Sequence, residues 1–153
     1  MRGNMFRKLA LAGLCAAVLG VPALAETAEF GTAEEARAML QKAVAAVKAD
    51  KTDALAMFNS AEGGFRDRDL YVFCVNASDG VETAHPTHQG MKLTEMKDVN
   101  GFAFGEAIMT TAKDGEISEV AYLWPRLNSD TPVKKNTFVT KVDDQICGVG
   151  YYP

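Results

Sequence analysis

The side chains with most scope for chemistry lie in two short stretches: His85-Pro86-Thr87-His88, which holds both histidines of the chain, and Tyr122-Leu123-Trp124-Pro125-Arg126. His-x-x-His spacing suits a metal, but a catalytic zinc takes three protein ligands, and no further histidine or spare cysteine is at hand. Glu82 is a conceivable third ligand, yet Pro86 stops the segment from presenting both rings along a regular helix. No metal is therefore expected. Asp67 and Asp69 resemble an acid pair, but alternate residues of an extended segment face opposite ways, so solvated turn charges are the simpler reading. There is no Gly-x-Ser-x-Gly elbow, no phosphate-binding glycine loop and no dinucleotide fingerprint. Neither catalysis nor a cofactor is expected. Tyr122 and Trp124, two residues apart, share one face of an extended segment, which makes that face a candidate ligand wall.

The elements that must position these residues follow from periodicity. Thr32 and Glu35 form a capping box, and Ala36, Met39, Leu40, Ala43, Val44 and Val47 recur at helical spacing, predicting a helix over Ala33–Ala49. Thr52 is placed to cap a second helical stretch reaching Asn59. Leu70–Val75 is a short apolar run closed by turn chemistry and reads as the central strand. Asp79-Gly80 turns the chain into Val81–Ala84, a long irregular connection follows, and Phe102–Ala112 is a short helix. Glu116–Trp124, Val133–Val142 and Ile146–Tyr152 are the remaining strands. Helices segregated from an antiparallel sheet make this α+β. Gly148 and Gly150 are expected to allow close backbone approach within the sheet.

The N-terminus bears on where this happens. Met1–Ala25 has a basic start, an apolar middle and Ala23-Leu24-Ala25 as a cleavage site, so it reads as a signal peptide cut after Ala25, with one domain over 26–153. A lipidated Cys15 and an uncleaved anchor are the alternatives. Three of the 16 basic residues lie in Met1–Ala25 and all 20 acidic ones lie after Ala25, leaving a formal charge of −7. That field argues against nucleic acid, and no later run is long enough for membrane insertion. The expected compartment is the periplasm. It is oxidising, so Cys74 and Cys147, each inside a predicted strand, suggest one disulfide, with two buried thiols as the plainer alternative.

Taken in order, the N-terminal helix, Tyr71-Val72-Phe73, Asp79-Gly80, His85-Pro86, Gly90, Asp98–Gly101, Tyr122–Pro125, Lys135 with Phe138, and Gly148–Tyr151 resemble the single Cache domains. These are extracytoplasmic sensor modules related in shape to PAS domains. The resemblance implies a five-stranded antiparallel sheet with the long helix on one face and a small-molecule pocket on the other, lined by Tyr71 and Phe73 among others. It also implies a small organic acid as ligand. A buried carboxylate needs charge-assisted donors, and Arg126, Lys135 and His85 are the candidates, with Tyr122 and Trp124 as an amphipathic wall. Each has a plainer reading: solvated charges for Lys135 and Arg126, a backbone hydrogen bond for His85, core packing for the two aromatics. The chain ends at Pro153, a departure from the receptor pattern that fits a free-standing exported member, and a membrane receptor or kinase is the expected partner of its ligand-bound form. The rival is an interaction module with a self-filled pocket, docking a partner or a second copy through its long helix.

Overall fold

The computed structural model describes residues 28–153. The expected signal segment Met1–Ala25 lies outside the described residues. Helix α1 spans Ala33–Ala49, and its capping box is closed: Glu35 N donates to Thr32 Oγ1 at 3.2 Å and Thr32 N to Glu35 Oε2 at 2.8 Å. Helix α2 spans Lys51–Ser60, and its cap is Asp50 rather than Thr52, with Asp53 N donating to Asp50 Oδ1 at 3.0 Å. Asp50 wins because α1 runs on to Ala49, so one extended residue ends the first helix and caps the second.

Six strands follow: β1 Arg66–Asp67, β2 Leu70–Asn76, β3 Glu82–Ala84, β4 Ser118–Pro125, β5 Pro132–Val142 and β6 Gln145–Tyr151, with α3 at Phe104–Thr111 between β3 and β4. The sheet is antiparallel in the order β1-β2-β6-β5-β4, and β3 pairs with β2. The two-residue β1 is an addition to the expected strands. First and last long strands are neighbours, with Cys74 directly opposite Cys147. Their Cα atoms are 4.1 Å apart and the two are joined as a disulfide. That separation suits a non-hydrogen-bonded antiparallel pair, where side chains stand closest.

Alternation sorts each strand between two cores. Leu70, Val72, Cys74, Phe138, Cys147 and Val149 pack against Ala36, Met39, Leu40, Ala43 and Val47 of α1. On the opposite face, Phe73, Val75, Val120, Tyr122, Val139 and Ile146 pack against Leu93, Phe104 and Ile108. Among the described residues no helix is long and apolar enough to cross a membrane.

Asp69 corrects the reading of solvated turn charges. It is buried, accepts from Gly31 N at 2.7 Å and pairs with Arg126 Nε at 3.3 Å, so it ties the start of the domain to the β4–β5 end.

Candidate ligand-binding site

The face of the sheet away from α1 is hollow beneath the connection from β3 to β4. An inner chamber is lined by Tyr71 and Phe73 from β2, Tyr122 and Trp124 from β4, Lys135 from β5, and His85 from the loop after β3. Glu82, His88, Leu93, Met96, Phe104 and Ile108 complete it. The space open to the centres of water-sized atoms is about 20 Å³. A wider vestibule of about 200 Å³ adjoins it, sharing Tyr71, His85, His88 and Trp124 as the common wall.

Lys135 dominates the electrostatics. It is 1% exposed, contrary to the solvated alternative, and it takes part in none of the ion pairs among the described residues. Its Nζ donates to Tyr71 Oη at 2.8 Å and lies 4.5 Å from the centre of the Tyr71 ring. A buried ammonium without a carboxylate partner costs several kcal/mol, which ring faces and one phenol offset only in part. Gly150 makes the position reachable: a Cβ there would overlap Lys135 Cε, so the lysine stem runs over bare backbone on β6. Gly148 does the same for Phe73, whose ring would lie 2.6 Å from an added Cβ. Both glycines serve side-chain passage, and Gly148 also admits the Phe138 carbonyl, 3.0 Å from an added Cβ.

His85 is fixed in one tautomer. Its Nδ1 accepts from the backbone amides of Thr87 and His88, each at 3.0 Å, so the neutral ring carries its proton on Nε2. Burial, with His88 and Lys135 as like-charged neighbours, pushes its pKa down to about 3. His85 is therefore a neutral donor in the chamber wall. Tyr71, accepting from Lys135, keeps its own O–H free to donate. Tyr122 is spoken for, its hydroxyl lying 3.0 Å from Thr137 Oγ1 and its ring stacked 4.2 Å from that of Phe104.

Pro86 does not keep the histidines apart. The turn after it brings their ring centres to 4.4 Å, and ligand atoms of Glu82, His85 and His88 fall within 4.8 Å of one another. The cluster still suits a metal poorly. With Nδ1 occupied by two amides and Nε2 protonated, His85 has no lone pair to offer, which leaves two ligands.

Arg126 stands apart from the other six expected residues. It lines the vestibule, bonded to Asp69 and held between the rings of Phe30 and Tyr152 at 4.1 and 4.5 Å. Glu82 was missed as a chamber residue for a physical reason. The register between β2 and β3 shifts between Cys74 and Val75, so Ala84 pairs with Cys74 on the α1 face while Glu82 pairs with Val75 on the chamber face. Strict alternation puts residues 82 and 84 on one face, and no residue type in Glu82-Thr83-Ala84 announces the bulge. Leu93, Met96, Phe104 and Ile108 come from the irregular connection and α3, whose docking has no short-range signal.

The sequence matches the family described as single Cache domain 2 over residues 21–152. The chain belongs to this family. Solved structures agree in fold. A methyl-accepting chemotaxis protein from Vibrio parahaemolyticus RIMD 2210633 superposes with a TM-score of 0.63 at 22% identity, over 78% of this chain and 86% of the other. The periplasmic sensor domain of a chemotaxis protein gives 0.60 at 24% identity, over 78% and 88%. A Cache chemosensory domain described in terms of carboxylic acid recognition gives 0.60 at 24% identity, over 78% and 91%. No match was found among curated proteins. The Cache fold accounts for the layout: a sheet with its long helix on one face and a chamber, roofed by the connection from β3 to β4, on the other.

Proposed function

We propose that this Cache domain is a periplasmic binding module for a small organic acid, acting as a sensor rather than a catalyst. The observation that carries the reading is the buried, unpaired ammonium of Lys135 at the chamber. A carboxylate set against it is met by charge-assisted bonds from Nζ and by donors from Tyr71 and His85, while Phe73, Phe104, Ile108 and Trp124 suit a short apolar tail. Size narrows the class. The atom centres of a two-carbon acid lie within about 2.5 Å of one another, which fits a chamber of 20 Å³. Acids of four or more carbons need the aromatic wall to move. Carboxylic acid recognition by a Cache chemosensory domain of similar fold supports the same class.

Calorimetric titration with formate, acetate, propionate, lactate and pyruvate tests this. Acetate is expected to bind, and Lys135→Met to weaken it by about 10- to 100-fold, the scale of one charged hydrogen bond. Absence of heat across the panel contradicts the reading. The small chamber volume favours, as a second reading, an interaction module whose pocket is filled by its own aromatics. A concentration-dependent dimer that ignores every acid supports that one. In the first reading, export removes Met1–Ala25, and the acid-bound form is what a membrane receptor or kinase recognises.

A further inference from the structure

Glu82 enters the chamber through the register shift between β2 and β3 and is 3% exposed. One of its carboxyl oxygens is buried without a hydrogen-bond partner, and the group joins none of the ion pairs among the described residues. The titratable groups facing the chamber are Tyr71 on β2, His85 and His88 on the loop after β3, Tyr122 on β4 and Lys135 on β5. The connection and α3 supply the apolar Leu93, Met96, Phe104 and Ile108, and the charged side chains of α2, Lys51 and Asp53, are exposed. Burial holds both histidines below the ordinary range, and Lys135 is the one amine that faces the chamber among the described residues.

Charge counting sets the state of the filled chamber. Lys135 balances one negative charge, and a bound carboxylate supplies it. A second carboxylate alongside is repelled by the first and has no cation of its own. We propose that Glu82 is a specificity-determining residue of the acid site, which holds a proton and donates its O–H to the bound carboxylate. A short acid then binds together with one proton wherever Glu82 was ionised beforehand, the proton coming from solvent. This rests on the acid-binding reading above. Burial, opposed in part by Lys135, pushes the Glu82 carboxyl up to about 8 in the empty chamber, so the coupling falls in an accessible range.

Acetate titrations from about pH 6 to about pH 9, each in two buffers of different ionisation enthalpy, test it. Affinity is expected to be flat at the acid end and to fall by up to about tenfold per pH unit above pH 8, with proton uptake rising from near zero towards one. Glu82→Gln keeps a donor and loses the titration, so its affinity is expected to be the same at both ends. Carbon-13 spectra of the Glu82 carboxyl in the unsubstituted protein give the same answer without the variant: acetate must move its titration upward. Equal acetate affinity at both ends in the unsubstituted protein overturns the proposal. So does tighter binding of glycine than of acetate, which makes Glu82 an ionised partner for an ammonium. No heat with any panel acid at pH 6 refutes the acid-binding reading itself, whereas binding at pH 6 without pH dependence refutes only the role of Glu82.

Discussion

Lys135, His85 and Glu82 occupy one chamber under three different terms: a buried amine bonded to Tyr71, a histidine kept neutral, and a carboxyl pushed up to about 8. The last two penalise opposite ends of the pH scale. The unfolded chain protonates His85 below its ordinary value of 6.5 while the folded one resists down to about 3, so this stabilisation is present above 6.5 and lost as pH falls. Glu82 runs the other way. Its ordinary value is 4.5 and its folded value about 8, so its contribution is full below 4.5 and lost as pH rises through 8. Urea unfolding of the ligand-free protein is expected to show Glu82→Gln gaining on the unsubstituted chain as pH rises between those values, by at most about 1.4 kcal/mol per pH unit. Parallel pH profiles for the two proteins contradict a buried, protonated Glu82.

Strand β6 lends the chamber its floor by lacking side chains at Gly148 and Gly150. Gly150→Ala is expected to push Lys135 aside, lowering stability by about 1–3 kcal/mol and weakening acetate binding with it. A variant with unchanged acetate affinity would show that Lys135 reaches the chamber by another path. These elements were legible to unequal degrees. Period-two patterning holds for Tyr122 and Trp124, which share one face, because the β4–β5 ladder runs without a shift from Ser118 to Pro125. It failed at β3, where one inserted residue turns Glu82 to the chamber face and leaves Thr83 bonding Cys74 O at 3.1 Å. The cap of α2 was misread because Asp50 and Thr52 are both competent, and only the length of α1 decides between them.

At the scale of the whole molecule, the pairing of β2 with β6 closes the fold, and the Cys74–Cys147 disulfide locks it across 73 residues of sequence. Replacing both cysteines with alanine is expected to lower stability by up to about 4 kcal/mol, as denaturant unfolding reads it, since the bond restricts mainly the unfolded chain. The two-faced layout was legible through the resemblance to the single Cache domains, with Tyr122 and Trp124 on one face of a predicted strand. Closure of the chamber was not, since it depends on Phe104 and Ile108 docking from a helix that sequence places only by length. The most direct test of the account is a crystal structure with acetate bound. The expected result is a carboxylate in the inner chamber, within hydrogen-bond distance of Lys135 Nζ and His85 Nε2. Acetate beside Arg126 in the vestibule, with the inner chamber still closed on its own side chains, would contradict it.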